Sequence, residues 1–235
     1  MVAAVGHAEG IDPAHELLVA AHADDPAHPI DMLGNKDLFA KRGCPASTIK
    51  VPLTLMGLEE KVITLQSTYV CEDRTSIPSK LTLQQAMTLS SNDFFEQLVL
   101  NLGIPGLEKY LKKWNYFPLV EKALPPPPRI TRGKAFLVSP QDELVFLSKL
   151  ATRKVEGISE NTYDQLEQVL SQEEKPALYG KTGSDFEGSW FVAYGYKPSA
   201  MIYVLRSDIP NSDGKHLRKL LFDYIDAHAR ADTKN

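Results

Sequence analysis

Residues 44 to 59 read Cys-Pro-Ala-Ser-Thr-Ile-Lys-Val-Pro-Leu-Thr-Leu-Met-Gly-Leu-Glu. Their apolar side chains recur at helical spacing, which predicts a helix with one apolar face from Ser47 to about Glu60. Ser47 and Lys50 lie three residues apart, and residues at this spacing share one face of a helix. A serine hydroxyl is a weak nucleophile that needs an adjacent base. The stretch therefore predicts a helix start that pairs a nucleophile with its base.

Two further short motifs follow along the chain, Ser90-Ser91-Asn92 and Lys181-Thr182-Gly183. Taken alone, the first is typical of a turn between helices with Asn92 or Asp93 as the next cap, and the second is typical of the end of a strand. Taken in order with Ser47 and Lys50, they match the S-x-x-K, S-x-N and K-T-G set of penicillin-recognising serine enzymes. The order indicates one active site assembled from three segments.

The chemistry of acyl transfer explains these residue types. Lys50 can act as a base near neutral pH only if its pKa is low, and we expect burial and the nearby positive charge of Lys181 to lower it. The backbone N–H groups of Ser47 and Ser184 are candidates for an oxyanion hole, which stabilises the charge that develops on an attacked carbonyl. These expectations concern groups that lie far apart in the sequence.

The first motif and its surroundings resemble the nucleophile region of class D β-lactamases (oxacillinases). Their common form is P-A-S-T-F-K followed by I-P and then G-L-E, and here Pro45 to Lys50 is followed by Val51-Pro52 and Gly57-Leu58-Glu59. Val138-Ser139-Pro140-Gln141 resembles the I-S-P-Q helix start of that family. Ser189-Trp190-Phe191-Val192 resembles its G-W-F-V strand after K-T-G.

The carboxyl-terminal part extends the resemblance. Residues 208 to 214, followed by Leu217 and Arg218, resemble the segment in which an arginine binds the β-lactam carboxylate. The match makes Arg218 the carboxylate clamp, a role that suits a bidentate guanidinium. The alternative is that Arg218 is an exposed helix residue. The resemblance covers roughly Phe39 to Tyr224, which is most of the chain.

The resemblance implies an α/β (α+β) fold of the β-lactamase/transpeptidase type, with an antiparallel sheet flanked by helices plus a helical subdomain. It implies a single domain over residues 1–235, with an all-helical subregion of about residues 60–170 inserted into the sheet-containing part. Local patterns place helices in the middle of the chain and strands near the carboxyl end. The predicted helices are Thr82–Leu89, Asp93–Leu102, Leu107–Trp114, a helix from Ser139 through Leu150, Glu160–Leu170 and Lys215–Ala229. The predicted strands are Ser189–Tyr196 and Ala200–Leu205, joined by Lys197-Pro198-Ser199. Four prolines, Pro125 to Pro128, predict a stiff surface connection.

The resemblance also assigns roles to the site residues. Ser47 attacks the carbonyl of a β-lactam or a D-Ala-D-Ala peptide, Lys50 takes its proton, and Ser90 relays a proton to the leaving nitrogen. Lys181 completes the catalytic set. The residues expected to bind substrate, through its amide, its carboxylate or close backbone approach, are Asn92, Thr182, Gly183, Ser184 and Arg218.

Two departures from the class D pattern predict slow hydrolysis of the acyl-enzyme. Class D enzymes commonly carry valine where this chain has Asn92, and a tryptophan holds their carboxylated lysine, whereas this chain has no tryptophan between Trp114 and Trp190. Asn115-Tyr116-Phe117 also stands near the position of their Y-G-N string. In that family the carboxylated lysine activates the deacylating water. A polar Asn92 and a missing tryptophan both disfavour carboxylation of Lys50, so acylation is expected without rapid turnover.

The sequence leaves three functions open. One is a class D-like β-lactamase of low turnover, a serine hydrolase. Another is a D-alanyl-D-alanine carboxypeptidase or transpeptidase, which Asn92 favours because those enzymes carry S-x-N. The last is a β-lactam sensor domain that stays acylated, which would need a membrane-anchored region.

Composition limits the remaining possibilities. With 26 basic and 30 acidic residues the net charge is −4, which argues against nucleic-acid binding. No metal ion or organic cofactor is implied, and His7, His15, His22 and His28 lack the spacing of a metal site. No apolar run approaches the roughly 20 residues that span a bilayer. The amino terminus shows no signal peptide, whereas the resemblance implies a periplasmic or secreted protein. Pairing of Cys44 with Cys71 and the oligomeric state are left open.

Overall fold

A computed structural model describes residues 10–114, 124–196 and 199–232. Within them, a six-stranded sheet has the order β2-β1-β8-β7-β6-β5, and every neighbouring pair is antiparallel. The strands are β1 (Glu16–His22), β2 (Asp31–Gly34), β5 (Ser171–Gln172), β6 (Lys175–Ser184), β7 (Ser189–Gly195) and β8 (Met201–Ser207). A separate antiparallel hairpin pairs β3 (Thr68–Cys71) with β4 (Ser79–Thr82).

Helices cover both faces of the sheet. They are α1 (Lys50–Glu59), α2 (Leu83–Leu89), α3 (Asn92–Trp114), α4 (Pro127–Thr131), α5 (Pro140–Ala151), α6 (Glu160–Leu170) and α7 (Gly214–Asp232). The antiparallel sheet with flanking helices confirms the predicted fold class. Capping boxes formed by Thr82 and Ser139 start α2 and α5, because each side chain accepts a backbone N–H one turn into its helix.

Alternation along the strands separates two cores. In β7, Phe191 and Ala193 pack with α7, whereas Trp190, Val192 and Tyr194 face the core that contains α1, α3, α5 and α6. Lys181 pairs with Val192 and Thr182 with Phe191 across β6 and β7. Since cross-strand partners point to the same face, Lys181 faces α1 and Thr182 faces α7.

Helix α1 differs from its prediction. A 3₁₀ turn, Ala46–Ile49, precedes it, and residues 50–58 of the helix are all buried. The expected single apolar face was wrong, because α1 runs between the sheet and the surrounding helices and buries its whole circumference. The apolar pattern alone could not reveal this, since periodicity detects one buried face and not burial on all sides.

Strands β5 to β8 gather near the carboxyl end as expected, but the amino-terminal strands β1 and β2 were missed. Strand β1 lies between β2 and β8, and its residues 16 to 21 are all buried. A strand buried on both faces shows a continuous apolar run without the alternation that marks a half-exposed strand. The β3–β4 hairpin also lies inside the interval 60–170, which was expected to be all-helical. The division into domains stays a prediction.

Other local predictions hold with small changes. Helix α3 joins the two predicted helices across Gly103, whose φ of 70° and ψ of 164° interrupt the helix. Helix α4 begins at Pro127, inside the proline tract, where proline suits the first helical turn. The expected hairpin turn at Lys197-Pro198 and the segment Asn115-Tyr116-Phe117 lie outside the described residues, as does His7.

Candidate active site

The turn that carries Ser47 is held in a specific backbone conformation. Ala46, directly before Ser47, has φ of 49°, a left-handed value that non-glycine residues rarely adopt. Gly133, also left-handed, packs against this turn so closely that a Cβ on it would lie 2.7 Å from the backbone N and O of Ala46. Contacts from a distant segment therefore support the turn and place Ser47, which is half-buried, at its surface.

Lys50 lies one turn after Ser47 with its amine at the centre of the site. Its side chain is fully buried, and Nζ lies 3.2 Å from Ser47 Oγ. The same amine lies 2.7 Å from the backbone oxygen of Ser90, 3.2 Å from Ser90 Oγ and 2.9 Å from Asn92 Oδ1. The first two motifs of the sequence thus meet at one nitrogen atom.

Ser90 joins the second motif to the third. It ends α2 in a left-handed conformation, with φ of 57° and ψ of 39°. Its Oγ also lies 3.1 Å from Nζ of Lys181, whose amine donates in addition to the backbone oxygen of Thr182 at 2.8 Å. Ser90 Oγ therefore bridges the amines of Lys50 and Lys181.

Burial and repulsion from nearby cations lower the pKa values of both lysines. Loss of solvation lowers the pKa of Lys50 to about 6, and the positive charges of Lys181, Arg74 and Arg132 add to that effect. Loss of solvation, followed by repulsion from Arg74, lowers the pKa of Lys181 to about 7. The low pKa of Lys50 agrees with the expectation from the sequence. A neutral amine within hydrogen-bond reach of a serine hydroxyl can accept its proton.

The edge of β6 closes the site on the side opposite α2. Gly183 approaches the Ser47 turn so closely that a Cβ on it would lie 2.9 Å from the oxygen of Pro45 and 3.1 Å from the nitrogen of Ser47. The backbone oxygen of Gly180 accepts from the Gln172 side chain, which lies on the outer edge of β6. Because backbone groups alternate between the two edges of a strand, those of Thr182 and Ser184 face the same outer edge. The Ser184 backbone therefore lies beside the Ser47 turn and faces outward.

The remaining substrate-binding candidates lie around the end of β6. A cleft of about 240 Å³ is lined in part by Lys181, Thr182 and Arg218. Arg218 projects from α7, is 38% exposed and lies 4.0 Å from Glu174 in the turn between β5 and β6. Arg218 is thus a partly exposed helix residue, which was the alternative prediction. It also lines the cleft next to Lys181. The Ser184 side chain accepts a hydrogen bond from the Gly214 N–H at 2.9 Å.

The second motif is held by a residue that the sequence analysis did not single out. The Asp73 carboxylate accepts a hydrogen bond from Ser91 Oγ at 2.7 Å and one from the Asn92 N–H at 2.6 Å. Ser91 also accepts the Phe94 N–H, so Ser91, rather than Asn92 or Asp93, caps α3. Asn92 is released from a capping role and directs Oδ1 at Lys50. No motif marks Asp73, because it lies in a loop far upstream of the residues it binds.

The described residues hold neither a metal-binding cluster nor a membrane-spanning helix. Among the side chains of the described ranges, no three His, Cys, Asp or Glu residues converge where a metal ion could bind. No helix in the described part of the chain is long and apolar enough to cross a membrane. Cys44 and Cys71 are free thiols, so the open question of their pairing is answered for this structure.

Known proteins are similar to this chain in sequence and in fold. Residues 12–225 match the family model described as the penicillin binding protein transpeptidase domain. The regulatory protein BlaR1 of Bacillus licheniformis is 26% identical over 171 residues, which are 68% of this chain and 28% of that protein. The β-lactamase OXA-11 of Pseudomonas aeruginosa is 27% identical over 201 residues, which are 77% of this chain and 72% of that protein. The chain thus spans little more than a quarter of the length of BlaR1.

A solved structure shows the same fold. The class D β-lactamase FUS-1 (OXA-85) of Fusobacterium nucleatum subsp. polymorphum superposes with a TM-score of 0.75 at 20% identity, covering 92% of each chain. The match of the family model spans nearly the whole chain, and class D enzymes recur in both comparisons. The chain accordingly belongs to the penicillin-binding-protein transpeptidase domain family, as a class D β-lactamase-like serine enzyme.

Proposed function

We propose that this protein is acylated on Ser47 by β-lactams and hydrolyses the resulting ester slowly. One observation carries the proposal: the fully buried Lys50 amine, with a pKa lowered to about 6, lies 3.2 Å from the Ser47 hydroxyl. At neutral pH this amine is mostly neutral, which a general base requires. Ser90 is a weaker candidate for the nucleophile. The third residue after Ser90 is Asp93, whereas the third residue after Ser47 is Lys50.

The proposed acylation step moves one proton and exchanges two bonds. Lys50 Nζ takes the Ser47 proton as Oγ bonds to the lactam carbonyl carbon, and the C–N bond of the ring then breaks. Ser90 donates its hydroxyl proton to the leaving nitrogen and regains a proton from protonated Lys50, and its bridging position between Lys50 and Lys181 supports that relay. The N–H groups of Ser47 and Ser184 are proposed to bind the oxyanion. Removing one such donor typically raises the barrier by about 3 kcal/mol.

Substrate recognition is proposed to use the end of β6. Thr182, Ser184 and Arg218, with the positive charge of Lys181, receive the substrate carboxylate. The cleft that Lys181, Thr182 and Arg218 border supports this assignment. Gly183 permits the close approach of β6 to the Ser47 turn. Asn92 was expected to bind the substrate amide. Because its Oδ1 lies at Lys50, we propose that its main role is to orient that amine.

The slow hydrolysis follows from the hydrogen-bond partners of Lys50. A neutral amine has two N–H donors and one lone pair. The Ser90 backbone oxygen and Asn92 Oδ1, at 2.7 and 2.9 Å, only accept, so they match the two donors and leave the lone pair for a serine hydroxyl. A carboxylated lysine has one N–H and two anionic oxygens that need donors. Two neighbouring acceptors therefore favour the unmodified amine, which is poorly placed to activate a deacylating water.

A sensor role is the second candidate, and one observation favours it. A protein that stays acylated reports the presence of a β-lactam, and BlaR1, to which this chain is similar, is named a regulatory protein. The carboxypeptidase or transpeptidase alternative rests on Asn92, which completes the S-x-N motif. All three candidates share acylation of Ser47 and differ in what happens to the ester.

The setting of the reaction is proposed from the family resemblance. We propose a periplasmic or secreted location, a single catalytic domain and a small-molecule β-lactam or D-Ala-D-Ala substrate that reacts without a cofactor. The β-lactam substrate class shares the test of the acylation itself.

The mass of the intact protein, followed for hours after mixing with a penicillin, tests the proposal. We expect a rapid gain equal to one penicillin, retained for many minutes and mapped by peptide digestion to Ser47. Ser47→Ala should show no gain. An adduct on Ser90 or Ser184, or labelling of Ser47→Ala, would refute the assignment.

A bicarbonate experiment tests the slow step separately. Replacing Asn92 with valine removes an acceptor from Lys50 and makes its pocket more apolar, which favours carboxylation. We expect Asn92→Val to hydrolyse a chromogenic β-lactam faster when bicarbonate is added, whereas the unaltered protein barely responds. Rapid, bicarbonate-stimulated hydrolysis by the unaltered protein would contradict the argument from Asn92 and indicate an ordinary class D enzyme.

A further inference from the structure

The loop after β3 carries a carboxylate that binds the turn between α2 and α3. Asp73 accepts from the Ser91 hydroxyl at 2.7 Å and from the Asn92 N–H at 2.6 Å. The attachment is reciprocal, because Asp93 Oδ2 in the first turn of α3 accepts the N–H groups of Glu72 at 2.7 Å and Asp73 at 3.0 Å. Four charge-assisted hydrogen bonds therefore join this loop to the turn, and such bonds are about twice as strong as neutral ones.

The bound turn presents every second-motif atom that contacts Lys50. The residue before Ser91 is Ser90, held in a left-handed conformation, and the residue after it is Asn92. Ser90 O, Ser90 Oγ and Asn92 Oδ1 all lie within 3.2 Å of Lys50 Nζ. A left-handed conformation is strained for a non-glycine residue and persists only where its surroundings determine it. Asp73 is part of those surroundings, because it binds Ser91 and Asn92, the two residues that follow Ser90.

We propose that Asp73 is a positioning residue for acylation, which holds Ser90 and Asn92 so that they direct the Lys50 amine at Ser47. Asp73 touches neither the amine nor the nucleophile, so it acts through the turn. The proposal deepens the proposed function and rests on it.

The negative charge of Asp73 has a second effect, on the pKa of the Lys50 amine. The cations that face Lys50 are Lys181 on β6, Arg74 beside Asp73, and Arg132 after α4, and they lower its pKa. Asp73 opposes them and raises the pKa of Lys50. The Glu96 carboxyl of α3 also lies near enough for the Lys50 charge to lower its pKa, although burial raises the pKa of Glu96 overall. Neutralising Asp73 therefore makes Lys50 lose its proton at a lower pH.

Asp73→Asn tests the proposal, because it keeps the size of the side chain and removes its charge. The amide oxygen of the new asparagine can still accept the Ser91 hydroxyl. Its NH₂ group then faces the Asn92 N–H, so the hydrogen bond from Asn92 is lost. We expect the second-order acylation rate constant with a penicillin to fall about ten- to a hundred-fold, the range for a lost charged hydrogen bond. The acid limb of the pH profile should move to lower pH.

Two matched variants separate positioning from general stability. Ser91→Ala removes a bond to Asp73 but keeps the charge, so its rate should fall while the acid limb stays in place. Asp142→Asn alters a carboxylate that caps α5 in the same way, accepting from the Ser139 N–H and Oγ at 2.9 Å each, far along the chain from the second motif. It should acylate like the unaltered protein. Thermal melts confirm that each variant is folded.

A readout without substrate distinguishes the two proposals. The ¹³Cε shift of Lys50 in lysine-labelled protein gives its titration midpoint directly. If the unaltered protein is not acylated but Ser91→Ala, which keeps the Asp73 charge, moves the ¹³Cε signal of neutral Lys50, the proposed function fails and the placement of Lys50 through the Asp73 contacts stands. An unchanged midpoint together with an unchanged acylation rate in Asp73→Asn overturns the inference. So does a loss of rate in Asp142→Asn equal to that in Asp73→Asn.

Discussion

Lys50 and Arg218 are cations at two sides of one site, and their surroundings differ sharply. Lys50 is fully buried, and four oxygen atoms from three residues lie within 3.2 Å of its amine. Arg218 is 38% exposed, and its nearest ion pair, with Glu174, is 4.0 Å long. The helical side is therefore organised for proton transfer before substrate arrives. The sheet-edge side leaves its guanidinium open to an anionic ligand.

This difference is physically reasonable for covalent chemistry. A base must be desolvated and oriented in advance, because reorganising it during the reaction raises the barrier. A binding arginine must reach a group that water also reaches, so a partly exposed and weakly paired side chain suits it. Variants on the two sides should consequently differ in size of effect and in substrate dependence.

Breaking the helical side should have the largest effect. Lys50→Met keeps an unbranched chain of similar length and removes the base, so acylation should slow by about 100- to 10,000-fold, the usual range for general base catalysis. Because an ionisable amine is replaced by an apolar group in a buried place, stability should not fall much. Stopped-flow acylation and a thermal melt measure both. Acylation at an unaltered rate would remove Lys50 from the mechanism.

The second largest effect on acylation should come from the contact between Gly183 of β6 and the Ser47 turn, where the two sides of the site meet. A Cβ at Gly183 would meet backbone atoms of Pro45 and Ser47 at 2.9 and 3.1 Å, and backbone cannot swing away as a side chain can. Gly183→Ala should displace the Ser47 turn and reduce acylation about a hundred-fold, as small misplacements of reacting groups do. Gly106→Ala, whose Cβ would meet only the Leu102 side chain, is the control. Equal rates in both variants would contradict the close approach.

Removing the cation on the sheet-edge side should give a smaller, substrate-dependent loss. Arg218→Ala should slow acylation by β-lactams that carry a carboxylate about ten- to a hundred-fold, the range for one charge-assisted contact. A neutral ester of the same β-lactam should react at nearly the same rate with both proteins. If both compounds slow equally, or neither does, Arg218 is only an exposed helix residue.

The acylation rate should fall on both sides of a pH optimum, on the acid side because of Lys50 and on the alkaline side because of Lys181. Below about pH 6 Lys50 gains a proton and loses its ability to accept one, so acylation should fall roughly tenfold per pH unit. Above about pH 7 Lys181 loses the positive charge that is proposed to attract the substrate carboxylate, so the rate should decline again. A rate that is flat from pH 5 to pH 8 would contradict both shifts.

The smallest effect should come from removing the ion pair between Glu174 and Arg218. If Arg218 has the proposed clamp role, a substrate carboxylate competes with Glu174 for this guanidinium. An exposed pair of this kind contributes about 0–1 kcal/mol, so Glu174→Gln should raise acylation by carboxylate-bearing β-lactams at most about fivefold. Glu173→Gln on the same turn is the comparison variant, and it should change the rate less. A decrease in rate for Glu174→Gln would mean that the pair orients Arg218 instead of occupying it.

Local patterns predicted much of the fold. Ser139, before Pro140 and an acidic first turn, marked a helix start correctly, because a cap acts within one turn of its own backbone. Strands β7 and β8 were found from their aromatic and β-branched residues. Strand β1 was missed, because burial on both faces depends on which elements cover it and leaves no alternation to read.

The sequence by itself determined which chemical groups the site contains and which of them are neighbours along the chain, such as Ser47 and Lys50. That information is local, since the geometry of one helical turn brings residues three apart together. Only the tertiary structure decided the low pKa of Lys50, the contact of Gly183 with the Ser47 turn and the hold of Asp73 on the second motif. Each of these depends on desolvation or on distances between segments that meet only in the folded chain, and no spacing along the sequence encodes them.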